Sequence, residues 1–93
     1  MIKSFSSKMT AATFKGLHAK ALPPAIRQRA SEKLRLLNAA TTIEDLRVPP
    51  ANYLEALKGD RKGQHSLRIN KQWRLCFKFK QGDAYDVEIT DYH

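Results

Sequence analysis

Cysteine is almost absent from this sequence, because Cys76 stands alone among 93 residues. A single thiol excludes an internal disulfide and a zinc site built on several cysteines. Long apolar runs are also missing, since no stretch approaches the ~20 residues that span a bilayer. The first residues lack the apolar core of a signal peptide. The composition therefore predicts a protein of the reducing cytoplasm with no membrane partner.

Acidic residues are scarce as well, with 9 Asp and Glu against 17 Lys and Arg and a net charge of +8. So basic a small chain indicates a polyanionic partner, although a solvated basic surface without such a partner has the same composition. The length predicts a single domain over residues 1–93, large enough for one thin hydrophobic core.

Helices are predicted in the first half of the chain. Ser6 or Ser7 can cap a first helix whose apolar positions are Ala11, Phe14 and Leu17. Pro23 and Pro24 suit the start of a second helix, and its apolar residues recur at helical spacing, namely Ile26, Ala30, Leu34 and Leu37. Thr42 and Asp45 predict a capping box for one short turn, and the prolines at 49 and 50 then return the chain to an extended path.

Strands are predicted at the beginning and in the second half of the chain. Residues 2–5 can form a first strand and residues 53–57 a short one, followed by a charged loop over residues 58–63. Apolar and polar side chains then alternate through residues 65–69, 73–80 and 84–90. Helices followed by antiparallel hairpins predict an α+β fold with one apolar and one polar face of the sheet.

Matching the apolar faces across the hairpins fixes a strand register. A loop over residues 81–83 would pair Phe79 with Tyr85, Phe77 with Val87 and Leu75 with Ile89, and would set Lys78 opposite Asp86. A loop over residues 70–72 places Arg68 opposite Arg74 on the polar face, with Thr90 beside Arg74. Like charges that oppose each other destabilise a sheet by about 0.2–1 kcal/mol, so the pair favours a shared anion such as a phosphate.

The predicted arrangement brings the terminal residues next to the two arginines, and such a group can cut RNA without a metal. The reaction needs a base for the 2′-hydroxyl, an acid for the leaving oxygen and cations for the transition state. His93 can act as acid or base, and Asp91 can act as a base or orient the imidazole. Tyr92 can stack on a base, orient a hydroxyl or donate a proton, and Arg68 and Arg74 can hold the phosphate, with Lys58 or Lys71 near.

Structural roles are alternatives for the same residues. The terminal triplet can be a functionless tail, and the arginines can instead pair with Glu88 at the surface. His65 shares a face with Leu67, which favours a partly buried structural histidine. Cys76 has no histidine fixed beside it, so a thiol nucleophile is disfavoured.

Several segments together resemble the HigB branch of the RelE/ParE toxin superfamily, whose members are also described as plasmid-maintenance killer proteins. The resemblance covers essentially the whole chain. It rests on the combination of Leu-Lys-Gly-Asp-Arg at 57–61, Asn-x-x-Trp-Arg at 70–74 and the terminal Asp91-Tyr92-His93. Each motif alone would be weak.

The resemblance implies a curved, mainly antiparallel RelE-like sheet with two N-terminal helices packed on it. It implies a toxin that cleaves mRNA in the ribosomal A site without a metal or cofactor. The catalytic residues would be Asp91, Tyr92, His93 and Arg74, and the RNA-binding residues would be Lys58, Arg61, Arg68 and Lys71. The implied partner is a HigA-type helix-turn-helix antitoxin, through which the complex would bind operator DNA.

One position departs from the family pattern. Some HigB toxins carry a histidine two residues before the leucine of Leu-Lys-Gly-Asp, where this chain has Glu55. A carboxylate can replace histidine as a base but cannot stabilise negative charge as a cation, so a role for Glu55 in RNA binding is doubtful. A basic toxin that binds ribosomal RNA with little cleavage, and a ParE-like gyrase inhibitor, stay as alternatives.

Overall fold

The computed structural model of the chain describes residues 1–17 and 20–92. Within them, two α-helices pack on one face of a four-stranded antiparallel sheet whose strands follow chain order. The helices are α1 (Lys8–Phe14) and α2 (Pro24–Ala39), and the strands are β1 (Glu55–Ala56), β2 (His65–Arg68), β3 (Trp73–Lys80) and β4 (Asp83–Asp91). The predicted α+β class, with both helices in the N-terminal half, is confirmed. None of the helices in these described ranges is both long and apolar enough for a bilayer span.

Helix α2 supplies the helical side of the core, as its apolar spacing predicts. It begins at the proline pair, and its four periodic residues, Ile26, Ala30, Leu34 and Leu37, are all buried. They face the apolar side chains of the sheet, including Leu67, Leu75, Phe77 and Val87. Burial of this stripe is what stabilises the helix against the sheet.

Helix α1 differs from the prediction on the face that it buries. Ser7 caps the helix as expected, since its hydroxyl accepts a hydrogen bond from the Thr10 amide at 3.1 Å. The buried residues, however, are Thr10 and Thr13, and Leu17 is 62% exposed. The reason is that the Thr10 hydroxyl accepts a hydrogen bond from the Ile89 amide of β4 at 2.9 Å. The helix thus supplies the edge strand β4 with a hydrogen-bond acceptor for one of its backbone amides.

The N-terminal segment lies along the same edge of β4. Ile2 and Phe5 form isolated parallel bridges with Ala84 and Val87, in place of the continuous strand predicted at 2–5. The Ser4 hydroxyl accepts a hydrogen bond from the Asp86 amide at 2.8 Å, where β4 is irregular. This segment makes the sheet mainly, rather than wholly, antiparallel.

Short turns connect α2 to the sheet. The predicted capping box of Thr42 and Asp45 is present on a 3₁₀ turn over Ile43–Arg47. The prediction that the chain becomes extended directly after the two prolines is wrong. Pro50–Asn52 forms another 3₁₀ turn, which ends with Tyr53 in the left-handed conformation. That conformation interrupts the extended backbone, so the strand expected at 53–57 is reduced to β1.

The register of β2 against β3 is as predicted. Leu67 pairs with Leu75, and Arg68 pairs with Arg74 across a turn over residues 70–72. The side-chain amide oxygen of Asn70 accepts hydrogen bonds from the backbone amides of Gln72 and Trp73, both at 2.8 Å. This Asx turn holds the connection that brings the two arginines together.

The register of β3 against β4 is predicted correctly at one end only. Leu75 pairs with Ile89 and Arg74 with Thr90, but Phe79 pairs with Ala84 rather than with Tyr85. The connection is a two-residue turn with positive φ at Gln81 and Gly82, and Asp86 forms a bulge that restores the pairing. Lys78 and Asp86 still form an ion pair at 3.3 Å, although they are not register partners.

Candidate functional site

The face of the sheet that the helices leave uncovered carries most of the predicted site residues. Across β2, β3 and β4, one row contains Arg68, Arg74 and Thr90. The neighbouring row contains Glu55, Ser66, Cys76 and Glu88. Alternation along each strand is what places polar side chains together on this face.

Arg74 is the best anchored of the predicted phosphate-binding residues. Its Nη1 donates to the Ser66 hydroxyl at 3.1 Å and to the Tyr53 carbonyl at 3.4 Å. The same Nη1 lies 3.4 Å from a carboxylate oxygen of Glu55. These contacts hold the guanidinium of a half-buried side chain in place, and a guanidinium presents further N–H donors in a planar fork.

Arg68 lies beside Arg74 on the neighbouring strand and is half-buried. Its guanidinium carbon is 5.0 Å from the centroid of the Tyr53 ring, a cation–π contact. The alternative in which Glu88 pairs with Arg68 or Arg74 is not what the structure shows. Glu88 pairs instead with Arg61, at 3.2 Å.

The other predicted RNA-binding cations differ in how they are held. Arg61 donates to Gln64 at 3.0 Å and to Glu88 at 3.2 Å, so it ties the 3₁₀ turn Gly59–Arg61 to β4. Lys58 directly precedes that turn and is exposed. Lys71 is exposed in the turn between β2 and β3, next to the groove described below. Lys71 therefore lies beside Arg68 in the groove, Lys58 is exposed at the start of its turn, and Arg61 uses both terminal nitrogens of its guanidinium in contacts within the protein.

The end of β4 lies next to the turn between β2 and β3. Trp73 pairs with Asp91, the Gln72 side-chain amide donates to the Asp91 carboxylate at 3.0 Å, and the Tyr92 amide donates to the Gln72 carbonyl at 2.6 Å. Asp91 and Tyr92 are thus held rather than frayed. Alternation along β4 places Asp91, the register partner of Trp73, on the sheet face opposite to Arg74, whereas Tyr92 has the parity of the Arg74 face. The predicted catalytic His93 lies outside the described residues.

Tyr92 contacts the predicted site through its ring. The Arg74 guanidinium carbon is 6.0 Å from the ring centroid. Burial, followed by the neighbouring Cys76 thiol, raises the pKa of Tyr92 above its ordinary value, while Arg61 and Arg74 act in the opposite direction. The phenol therefore keeps its proton at physiological pH, which suits a proton or hydrogen-bond donor and not a base.

Three residues at this site were not singled out from the sequence. Ser66 shares the parity of Arg68 and could have been found from the alternation, since it is the register partner of Cys76 on the same face and lies diagonal to Arg74, from which it accepts a hydrogen bond. Gln72 precedes the paired tryptophan, but its contact with Asp91 depends on the register of β4. No sequence pattern pointed to Tyr53, because its contacts depend on a left-handed backbone conformation that the sequence does not reveal.

Cys76 and His65 have the structural positions that the sequence favours. Cys76 is fully buried on β3. The His65 ring stacks with Phe77 at 6.3 Å between centroids, and burial, followed by the charge of Arg47, lowers the pKa of His65. Over residues 1–17 and 20–92, the structure contains no cluster of three or more His, Cys, Asp or Glu side chains suited to a metal ion.

Comparison with known families matches residues 3–93 to the sequence model of a family described as the RelE-like toxin of the type II toxin–antitoxin system HigB. The chain belongs to the HigB-like toxin family. An antitoxin is therefore the partner that the family assigns to it. The fold and the combination of sequence motifs agree with this membership.

Characterised relatives of this HigB-like toxin are similar over much or all of its length. A protein of Vibrio cholerae named Toxin HigB-1 is 43% identical over 68 residues, which cover 73% of this chain and 72% of that protein. A protein of Proteus vulgaris named Endoribonuclease HigB is 36% identical over 93 residues, the full length of both.

Solved structures share the fold of this HigB-like toxin at low sequence identity. A mutant of YafQ from E. coli superposes with a TM-score of 0.65 at 14% identity, covering 98% of this chain and 91% of YafQ. A YoeB–YefM toxin–antitoxin complex from Staphylococcus aureus contains a chain with a TM-score of 0.62 at 17% identity, covering 100% of this chain and 98% of that one. The predicted RelE-like architecture is confirmed.

Proposed function

We propose that this HigB-like toxin is a ribosome-dependent endoribonuclease that cleaves mRNA in the A site without a metal ion. The observation that carries the proposal is the pairing of Arg68 with Arg74 on the uncovered face of the sheet, where the Tyr92 ring centroid lies 6.0 Å from the Arg74 guanidinium carbon. Two neighbouring guanidinium groups without two neighbouring carboxylates form a site for a bridging anion such as a phosphate. The endoribonuclease name of the Proteus vulgaris relative supports the same activity.

The proposed reaction is attack of the ribose 2′-hydroxyl on the adjacent phosphorus. A base removes the hydroxyl proton, the O2′–P bond forms, and the bond to the 5′-oxygen breaks as an acid protonates that oxygen. The products are a 2′,3′-cyclic phosphate and a 5′-hydroxyl. Arg68 and Arg74 would stabilise the added negative charge on the phosphorus oxygens, the term that commonly contributes most to such catalysis.

The acid and base roles fall to groups at the end of the chain. Tyr92, whose pKa is raised, would donate a proton or hydrogen bond and would not serve as the base. Asp91 would accept the proton or orient His93, whose ordinary pKa lies near neutrality. Lys58 and Lys71 would attract the RNA backbone, with Arg61 contributing charge from its place beside Glu88.

The proposed partners follow from the family and from the charge. The antitoxin would be of the HigA type, with a helix-turn-helix domain that carries the complex to operator DNA. The ribosome and its mRNA would be the target in the cytoplasm, and the net charge of +8 would favour association with this polyanion.

Mapping of mRNA 5′ ends after induction in cells tests the proposal. Wild-type protein should give new 5′ ends within codons, and both Arg74→Ala and His93→Ala should remove them and the growth arrest. Loss of one preorganised donor in such a site commonly lowers the rate by about 100-fold or more. Arg35→Ala is the matched control, because Arg35 is exposed on α2 and donates a hydrogen bond to Ser31 in the same helix.

Different results would favour the alternatives. Intact transcripts with arrested translation would favour a toxin that binds ribosomal RNA, and intact transcripts with DNA damage would favour gyrase inhibition. If Arg74→Ala cells arrested as fast as wild-type cells while the protein remained folded, the assigned site would be wrong.

A further inference from the structure

Tyr53 links the two arginines of the proposed site, and no role has so far been assigned to it. Its ring lies against the Arg68 guanidinium at 5.0 Å, and its carbonyl oxygen accepts a hydrogen bond from Arg74 at 3.4 Å. The residue is nevertheless 56% exposed. An exposed aromatic ring with one contact to a cation has surface left for a second flat group.

The backbone at Tyr53 is held in a conformation that tyrosine rarely adopts. Its φ of 45° and ψ of 55° lie in the left-handed region. The preceding Asn52 is fully buried and donates to the carbonyls of Leu46 at 3.2 Å and Val48 at 3.3 Å. Asn52 also accepts a hydrogen bond from Lys33 of α2. Surrounding contacts that maintain an unfavourable backbone conformation are typical of functional positions.

A cationic groove opens beside the Tyr53 ring. Its volume is about 430 Å³, within the range of small-ligand sites. Tyr53 and Arg68 belong to its wall, so the groove is continuous with the proposed phosphate site. Its charged lining consists of four cations and one carboxylate, namely Arg29, Lys33, Arg68, Lys71 and Glu32.

We propose that the Tyr53 ring stacks on a nucleobase next to the scissile phosphate of single-stranded RNA, and that the cationic groove holds the adjoining backbone phosphate. This inference rests on the proposed nuclease function. A ring beside a positively charged groove is the arrangement by which proteins bind single-stranded nucleic acid. An acidic protein segment would need the cations but not the aromatic ring, which is why RNA is the favoured occupant.

Single-turnover cleavage by purified toxin on ribosomes programmed with a defined mRNA tests the role of the ring. Tyr53→Leu keeps apolar bulk but removes the π face, and Tyr53→Phe keeps the ring and removes only the hydroxyl. Since base stacking on an aromatic ring contributes enough to change binding by roughly 5- to 150-fold, Tyr53→Leu should raise the half-saturating toxin concentration by about 10-fold or more. Tyr53→Phe should stay within about 2-fold of wild type, and thermal unfolding of each variant checks its fold.

An abasic mRNA identifies the nucleotide. Abasic riboses are placed one at a time at the two nucleotides that flank the scissile phosphate and at their outer neighbours. With wild-type toxin, one of these changes should weaken cleavage as much as Tyr53→Leu does. The same change should have little further effect on Tyr53→Leu, because the two alterations remove one contact. The wild-type arm needs no variant, so insensitivity of wild-type toxin to every abasic position overturns the stacking role even if Tyr53→Leu does not fold.

The outcomes separate this inference from the proposed function. The stacking role alone would be overturned if Tyr53→Leu cleaved as fast as wild-type toxin. It would also be overturned if cleavage by wild-type toxin were insensitive to every abasic position. Effects of Tyr53→Leu and of the abasic sites that multiply independently would overturn it as well. A variant that cleaves normally but escapes neutralisation by the antitoxin would assign the ring to a protein interface instead. Absence of cleavage by wild-type toxin would contradict the nuclease function itself.

Discussion

Gln72 makes two different contacts with the end of β4. Its side-chain amide donates to the Asp91 carboxylate at 3.0 Å, and its carbonyl accepts from the Tyr92 amide at 2.6 Å. Its own amide is held by Asn70. The turn between β2 and β3 therefore fixes the position of the proposed catalytic end of the chain, which makes Gln72 a positioning residue.

Replacement of Gln72 by methionine should slow cleavage without weakening RNA binding. Methionine has a similar length but cannot donate to Asp91, while the backbone hydrogen bond to Tyr92 remains. We expect kcat to fall by about 10-fold, the scale of one lost hydrogen bond to a charged group, with KM nearly unchanged. Single-turnover and saturation kinetics separate the two parameters.

Gln28→Met is the matched control for this substitution. Gln28 is exposed on α2 and donates a hydrogen bond to Glu32 one turn away. Equal effects of the two substitutions, or a rise in KM with unchanged kcat for Gln72→Met, would contradict a positioning role.

Glu55 occupies an Arg74 donor that a phosphate could use. The carboxylate lies 3.4 Å from Nη1 and is 58% exposed. Glu55→Gln should lower KM, because it removes a negative charge from the phosphate site at constant shape. Glu55→His, which restores the residue of similar toxins, should also raise kcat, since imidazole can act as an acid or base at neutral pH.

Cleavage kinetics of the two Glu55 variants check this expectation. The prediction fails if Glu55→Gln binds ribosome-bound mRNA more weakly than wild type. A fall in kcat for Glu55→Gln with unchanged KM would instead identify Glu55 as the base of the reaction.

At the level of single residues, the sequence indicated the arginine pair but not its surroundings. Alternation along β2 and β3 was sufficient to place Arg68 beside Arg74, and the structure confirms that register. The contacts of Glu55 and Tyr53 with the same arginines depend on β1 and on a left-handed backbone. Such contacts between distant segments do not follow from local patterns, so they could not be predicted.

The hairpin of β3 and β4 shows where element-level prediction failed. Parity of the apolar residues required an odd loop, and a three-residue connection met that condition. The chain instead combines a two-residue turn with a bulge at Asp86. The predicted register therefore holds from the pair Cys76–Glu88 onward. Alternation constrains the total number of residues between matched pairs but not their division between loop and bulge.

Gly82 in this turn should tolerate a side chain less well than Gly63. Both have positive φ, +83° and +95°, so alanine at either site should lose about 1–2 kcal/mol of unfolding free energy. A Cβ at Gly82 would also lie 3.1 Å from the Thr41 carbonyl oxygen, whereas a Cβ at Gly63 meets no atom within 4 Å. Gly82→Ala should therefore have the lower melting temperature, by several degrees.

Thermal unfolding of both glycine variants provides the comparison. Gly63→Ala is the internal control for the backbone penalty alone. Equal melting temperatures would mean that the turn moves away from Thr41 at no cost, contrary to the packing described here.

His65 of β2 should make the stability of the sheet depend on pH. Burial, followed by the charge of Arg47, lowers the pKa of His65 from its ordinary value of 6.5. Between the lowered pKa and 6.5 the unfolded chain binds more protons than the folded chain, so the stabilising contribution is present above pH 6.5 and is lost as the pH falls through the folded pKa. Denaturant unfolding between pH 7 and 5.5 measures this loss.

His65→Phe should make the stability less dependent on pH in that window. Phenylalanine keeps a ring against Phe77 but cannot titrate. The difference in slope between wild type and variant isolates His65 from the other histidines. Identical slopes would contradict the proposed titration.

At the level of the whole molecule, the class of fold was more predictable than its edges. Helical periodicity in α2 and alternation in β2 and β3 each gave the right element and the right buried face. Thr10 of α1 and Ser4 of the N-terminal segment were misjudged because their hydroxyl groups accept hydrogen bonds from backbone amides of β4. Edge strands need such partners, and local apolar patterns do not show which residue will provide them.

The proposed activity combines the arginine pair on the uncovered face of the sheet with a cationic groove that is lined partly by α2, and with the charge of the molecule. The arginine pair, the end of β4 and the cationic groove all lie where RNA can reach them, and the net charge of +8 favours its approach. The central claim is that the 2′-hydroxyl of this RNA is the nucleophile and that the paired guanidinium groups hold the phosphate that it attacks.

Cleavage of an mRNA with a single 2′-deoxy nucleotide at the mapped cleavage site tests that claim most directly. Ribosomes programmed with the all-ribose transcript should yield a product that ends in a 2′,3′-cyclic phosphate, and the single-deoxy transcript should stay intact at that position under the same conditions. Cutting of the deoxy transcript at an equal rate, with a free 3′-hydroxyl end, would contradict the account.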